Sequence, residues 1–153
     1  MDFIKELDGG FSVIENLEVS GAREGKFGVA IIHSPNSTAS AVFTSNKVVA
    51  APVKYTKKML KKGIVSAVFV NSGNANCFTG QQGLDDCETL VELVANDLKL
   101  PKDEIAISST GVIGREMPID IISKVANESF SRLGNSPEDS LAAAKAIMTT
   151  DTF

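Results

Sequence analysis

The chain predicts an α+β fold, or a layered α/β one, in which helices pack on a sheet. Three observations predict it. Short runs rich in Val, Ile and Phe, broken by Gly, Asn, Ser and Pro, dominate the first half. In the second half apolar residues recur at intervals of three and four. Between two helical stretches lies one more strand-like run, residues 105–108. With 153 residues, 43% of them hydrophobic and 22% charged, the chain can bury one core and is too short to expect two. Residues 1–153 therefore read as a single domain, and no repeat, low-complexity tract or linker divides them.

In chain order, the strand candidates of the first half are residues 11–14, 28–32, 41–44 and 65–70, each bounded by turn-forming residues. Residues 54–62 form a basic amphipathic patch that predicts a short helix, with its lysines in water and Gly63 as its cap. Leu84, Cys87, Val91, Val94 and Leu98 share one stripe of a helix expected over about residues 81–98. Pro118 suits the first turn of another helix, with Ile121, Ile122, Val125, Ala126 and Phe130 inward and Gly134 as its stop. Ser136 then caps a last helix with Pro137 at its first position. That helix leads into Met148-Thr149-Thr150-Asp151-Thr152-Phe153 with no closing loop, so the sequence is expected to continue elsewhere.

Charge and composition exclude several classes. Lys and Arg total 15 against 19 Asp and Glu, a net charge of −4, so no basic field draws in a nucleic acid. The first ten residues carry acidic groups where a secretory signal would be basic and then apolar. The longest apolar stretch, residues 64–70, is far short of the roughly 20 residues a spanning helix requires, so no membrane association is expected. Two cysteines without an export signal fit a reducing compartment, and cytoplasm is the expected location. One histidine and two cysteines, without a close-spaced ligand pair, predict no metal site. His33 reads as a strand-end histidine without an acidic partner nearby in sequence, and Cys77 and Cys87 read as turn and core residues.

Three stretches concentrate polar groups. Residues 71–76, Asn-Ser-Gly-Asn-Ala-Asn, are expected as a strand-to-helix connection, the kind of loop that holds sites. A tight turn in which Asn and Ser bond their own backbone explains the same residues. Residues 108–114, Ser-Ser-Thr-Gly-Val-Ile-Gly, can present a hydroxyl and an unobstructed backbone N–H to one oxygen, as an oxyanion requires; a Ser/Thr turn is the other reading. Thr149, Thr150, Asp151 and Thr152 offer hydroxyls and a carboxylate to an amino-acid-like ligand, or form a polar helix end. No nucleophile with its base accompanies them, so a complete acyl-transfer site would draw one from outside this chain.

Four ordered motifs resemble the ornithine acetyltransferase family, also called glutamate N-acetyltransferase. They are Ala41-Val42-Phe43-Thr44 with Ala50-Ala51-Pro52-Val53, residues 71–76 with Thr79-Gly80, residues 109–114, and residues 146–152. The resemblance implies a layered fold like that of other self-processing N-terminal nucleophile enzymes. It implies a precursor that cuts itself before a threonine into α and β chains, usually assembled as α2β2. The new threonine is the nucleophile, and its α-amine, with a pKa of about 8, serves as base. Thr110 and Gly111 match the family's oxyanion hole, and Thr149 its substrate-contacting threonine, with Thr150 and Asp151 as supports. The implied reaction moves acetyl from N-acetylornithine to the threonine, releasing ornithine, and then to glutamate. No resident cofactor is implied, although some relatives take acetyl from acetyl-CoA as a co-substrate.

The family's α chain continues past the Thr-Thr-Asp-Thr motif, through a lysine-glycine segment and an Asn-Met-Ala before the cut. This chain is therefore expected to be the N-terminal α-chain part, truncated at its C-terminus and inactive alone. Two other functions stay open on the residues. One is a subunit of an N-terminal nucleophile aminopeptidase, releasing its product to water; the other is a non-catalytic module that binds an amino acid or assists assembly.

Overall fold

A computed structural model describes residues 8–151. Four strands form one sheet in the order β1-β2-β3-β4: β1 (Glu18–Glu24), β2 (Phe27–Thr38), β3 (Ile64–Asn74) and β4 (Ile105–Val112). β1 pairs antiparallel with β2 and β2 with β3, whereas β4 runs parallel to β3. A parallel pair needs a long crossover, and α2 (Gly80–Leu98) supplies it. The other helices are α1 (Ala51–Met59), α3 (Ile119–Phe130) and α4 (Pro137–Ile147). The architecture is thus the expected α+β sheet with packed helices.

The two faces of the sheet are covered differently. On one face Val29, Ile31, Phe69, Ile105 and Ile107 pack with Cys87, Leu90, Val91 and Val94 of α2 and with Ile122, Val125 and Ala126 of α3. Fully buried side chains of this size each contribute about 1.5–3 kcal/mol. On the other face α4 lies against Val19 and Ala30 through Ala143 and Ala146. It comes close enough that a Cβ on Gly21 or Gly28 would overlap the carbonyl oxygens of Ala142 and Ala146 respectively. Two glycines below and alanines above let backbone meet backbone.

The helices form largely where the sequence puts them. α1 continues into a 3-10 turn (Leu60–Lys62) that Gly63 closes at φ +68, the left-handed geometry glycine favours. In α4, Ser136 Oγ accepts from the Asp139 N–H while Asp139 Oδ2 accepts from the Ser136 N–H, a reciprocal cap. Pro118 stands just outside α3 instead of in its first turn, and Ile121 is 36% exposed instead of inward. Gly134 does not stop that helix, which ends at Phe130; it exchanges two backbone hydrogen bonds with Val19 and ties the following turn to β1.

Several strands differ. Residues 11–14 were expected as a strand, but Gly9 and Gly10 take positive φ and turn the chain into a 3-10 helix (Gly10–Val13). Phe11, Val13 and Ile14 stay partly exposed, so no buried face rewards extension. Residues 41–44 pair with nothing among the described residues, and Val42 is 99% exposed. β1 lies where no strand was expected: charged ends and Gly21 hide Val19 and Ala22, the side chains it buries. Residues 71–74 are the last four of β3, not a connection, because each pairs in register with β4, from Asn71 opposite Ser109 to Asn74 opposite Val112. Among the described residues no helix is long and apolar enough to cross a membrane.

Candidate active site

One transverse row of the sheet organises the site. Register places Arg23 of β1 opposite Gly28 of β2, Gly28 opposite Ser72 of β3, and Ser72 opposite Thr110 of β4. Paired residues share a face, and Ser72 identifies it: its hydroxyl donates to the Ala146 carbonyl at 2.6 Å. Thr110 therefore stands on the face that carries α4. The α4 helix ends above this row, and Met148 turns the chain so that Thr149 and Thr150 come down beside β4. Between them lies a cleft of about 460 Å3 lined by Arg23, Lys26, Gly73, Thr110, Gly111, Val112, Thr149 and Thr150.

The floor of the cleft is bare backbone. Gly73 and Gly111 are register partners, at φ +96 and φ +131. A Cβ on Gly111 would overlap the Gly73 carbonyl carbon, and one on Gly73 would come within 2.6 Å of the Lys26 carbonyl oxygen. The Gly111 N–H faces outward, as β4 itself shows. Thr56 Oγ1 donates to the Ile107 carbonyl at 2.8 Å and accepts from the Ile107 N–H at 3.0 Å, on the edge away from β3. Alternate residues of a strand present their peptide groups to the same side, so the Ser109 and Gly111 N–H groups face that open edge too. Thr110 and Gly111 border the same cleft. Arg23 and Lys26 also line the cleft, and the Arg23 guanidinium is taken up by carbonyls at the end of α4.

The asparagines of residues 71–76 hold this floor in place. Asn71, Asn74 and Asn76 are at most 2% exposed. Asn71 accepts from Ser109 Oγ at 2.6 Å and donates to the Asn74 carbonyl at 2.9 Å. Asn74 donates to the Arg115 and Glu116 carbonyls and accepts from the Asn76 N–H. Asn76 donates to the Gly83 carbonyl and accepts from Thr79 Oγ1. The asparagine side chains thus bond the protein's own backbone, while Gly73 of the same run lines the cleft.

The residues singled out from the sequence come together in part. Thr110, Gly111, Thr149 and Thr150 line the one cleft, and Asp151 Oδ2 accepts from the Thr149 N–H at 3.1 Å. Thr152 and Phe153 lie outside the described residues. His33 lies within β2 and not at a strand end, opposite Ala67 and away from the cleft, and Glu18 Oε2, distant in sequence, lies 3.1 Å from its Nδ1 across the β1–β2 pair. Cys87 is buried, and burial, with Asp86 beside it, pushes its thiol up to about 12, the opposite of an activated nucleophile. No group of three or more His, Cys, Asp or Glu that could hold a metal exists among the described residues. Sequence reasoning missed Arg23, which carried no signal once β1 went unrecognised. It also missed Gly73 as a floor residue, although Gly73 lay inside a marked polar run.

Comparison with known proteins gives a consistent result. A model of the ArgJ family matches residues 16–153. The chain is 48% identical over 150 residues to a glutamate N-acetyltransferase of Methanothermobacter thermautotrophicus, covering 98% of this chain and 37% of that protein. It is 43% identical to the arginine biosynthesis bifunctional protein ArgJ of Archaeoglobus fulgidus, covering 88% and 35%. Among solved structures it is similar to the bifunctional protein argJ of Bacillus halodurans, with TM-score 0.88, 33% identity, and coverage of 95% of this chain and 78% of that one. It is also similar to the ornithine acetyltransferase of Mycobacterium tuberculosis solved with ornithine, with TM-score 0.90, 32% identity, and coverage of 95% and 81%. The chain spans little more than a third of the curated relatives it matches.

Proposed function

The chain belongs to the ArgJ family, and from that membership we propose that it is the oxyanion-binding, α-chain part of an acetyltransferase of arginine biosynthesis. The observation that carries the reading is that Thr110, Gly111 and Thr149 line one cleft. In this reading the nucleophile is the N-terminal threonine of a second polypeptide, the β chain, released when a precursor cuts itself. Its hydroxyl attacks the acetyl carbonyl of N-acetylornithine while its own α-amine takes the proton. As the carbonyl becomes tetrahedral its oxygen turns negative, and the Thr110 hydroxyl and Gly111 N–H hold it. The C–N bond then breaks, and ornithine leaves with the proton. Glutamate's amine attacks the acetyl-threonine in the reverse sense and leaves as N-acetylglutamate. Thr149 contacts the amino-acid substrate, with Thr150 and Asp151 as its supports. Acetyl-CoA enters only as an alternative donor to the same threonine, and no resident cofactor takes part.

Two further observations support a partner chain. The chain fills about four-fifths of each solved relative but little more than a third of each curated sequence, so the solved chains are much shorter than a whole sequence. That relation suits a protein divided in two. On this chain an apolar edge of the cleft is also exposed: Val112, which lines it, is 50% exposed, and Ile113 next in the chain 60%. Polypeptide seated there would remove that surface from water. An α2β2 assembly in the cytoplasm completes the proposal.

The test is the intact mass of every polypeptide that copurifies with this chain, with the N-terminal residue of each and the assayed transfer of acetyl from N-acetylornithine to glutamate. A partner beginning with threonine and active in transfer is expected. A purified native complex with no such partner, or one that releases free acetate without acetylating glutamate, overturns the reading.

A further inference from the structure

The last carbonyls of a helix have no intrahelical donors, and cationic side chains nearby both satisfy them and oppose the helix dipole. At the end of α4 this is done from the sheet. Met148 closes the helix in extended geometry, φ −62 and ψ 143, with no cap hydrogen bond from its N–H back into the last turn. Arg23 Nη1 instead donates to the Lys145 and Met148 carbonyls, each at 2.7 Å, with the Ala146 carbonyl at 3.4 Å. Among the described residues Arg23 forms no ion pair, so its charge is committed to these carbonyls. One nitrogen thus joins a carbonyl inside the helix to the carbonyl just after it.

The Met148 carbonyl and the Thr149 N–H belong to a single peptide plane. Arg23 grips that plane at its oxygen, and Asp151 Oδ2 grips it at its N–H, 3.1 Å away. Held at both ends, the plane is restrained from turning about the chain, and this restricts the direction in which Thr149 leaves it. We propose that Arg23 is a positioning residue for the acetyl-transfer site, which orients Thr149 toward substrate by clamping the peptide plane that precedes it. The proposal rests on the function proposed above for the cleft. Arg23 acts through Thr149 and touches no reacting atom.

The experiment compares Arg23→Ala and Arg23→Lys with the parent in the complete two-chain enzyme, measuring KM and kcat for N-acetylornithine, the melting temperature, and amide exchange at residues 149–151. For Arg23→Ala we expect a KM increase of roughly tenfold, a kcat change of about threefold or less, and faster exchange confined to residues 149–151. Arg23→Lys, which restores one charged donor without the planar fork, should recover part of the KM. Unchanged KM and unchanged local exchange would overturn the proposal. So would a fall in melting temperature with faster exchange throughout and no selective KM effect, since that describes a structural residue only. If the parent transfers no acetyl but Arg23→Ala still loosens residues 149–151 alone, the clamp stands and the functional reading is what fails.

Discussion

Replacing Gly28 with alanine probes the geometry of the cleft from beneath. The new Cβ would overlap the Ala146 carbonyl oxygen and lie 2.8 Å from Ser72 Oγ and 3.0 Å from the Ala146 carbonyl carbon. The obstruction is backbone, so no rotamer change relieves it, and the end of α4 must retreat by about 1 Å to regain van der Waals separation. Overpacking of this kind costs about 1–3 kcal/mol, or roughly 2–12 °C in melting temperature for a chain of this size. The same retreat stretches the bonds to the α4 carbonyls from Ser72 (2.6 Å) and Arg23 (2.7 Å) and carries Thr149 away from Gly111. A misplacement of about 1 Å can cost up to about 10² in rate. Transfer of acetyl to glutamate by the proposed two-chain enzyme is the assay, with thermal unfolding recorded in parallel. Gly25→Ala is the comparison: Gly25 has φ +58 and nothing within 4 Å, so that variant bears backbone strain without a clash. Gly28→Ala is expected to lose about 10- to 10²-fold in kcat/KM at a temperature where both variants are folded. A Gly28→Ala enzyme with parental kcat/KM would show that the seat of α4 does not set the site.

Thr110→Ala in the two-chain enzyme should lower turnover by roughly 10² to 10³ if its hydroxyl holds the oxyanion, and an unchanged rate removes it from the mechanism. Asn74→Ala leaves the Asn76 N–H and the Arg115 and Glu116 carbonyls without their partner. With about 1–3 kcal/mol for a buried unsatisfied group, urea unfolding should show a loss of at least about 2 kcal/mol; a loss under about 0.5 kcal/mol would contradict the network. For Cys87 the sign follows from its raised thiol, moved from 9.0 to about 12 mainly by burial. Below about pH 9 folded and unfolded chains both hold the proton, and above it the unfolded chain alone releases it, so stability falls as pH rises. Cys87→Ala should flatten the stability profile between about pH 9 and 11 by up to about 1.4 kcal/mol per pH unit. An identical alkaline slope in the two proteins would show that the thiol ionises as readily folded as unfolded.

Local signals were legible where one element carries its own pattern. The α2 stripe, the Ser136 cap and the Gly63 stop are decided by residues a few positions apart, and the structure contains all three. Signals were lost where the reward comes from elsewhere in the chain. β1 has two charged ends and a central glycine because its buried face meets α4, more than a hundred residues later, and that packing is what requires Gly21. Residues 41–44 have the composition of a strand and no partner, so composition alone misleads. The polar run at 71–76 read as a loop because buried asparagines are rare, and only the register with β4 shows that Asn71 and Asn74 lie inside a strand, with Asn76 just beyond it. Thr110, Gly111 and Thr149 were marked from motifs, whereas Arg23 became visible only once β1 was seen to lie beneath the end of α4.

The bond from Arg23 to the Met148 carbonyl spans 125 residues of chain. At about 5–20 residues per second, a ribosome adds Met148 roughly 6–25 s after Arg23. Throughout that interval the β1–β2 surface that α4 will cover lies open, with the glycine troughs at Gly21 and Gly28 unfilled. This surface is therefore most open to misassociation before α4 emerges. The cleft, which needs Arg23 of β1 together with Thr149 and Thr150 beyond α4, takes shape only after synthesis has passed this point.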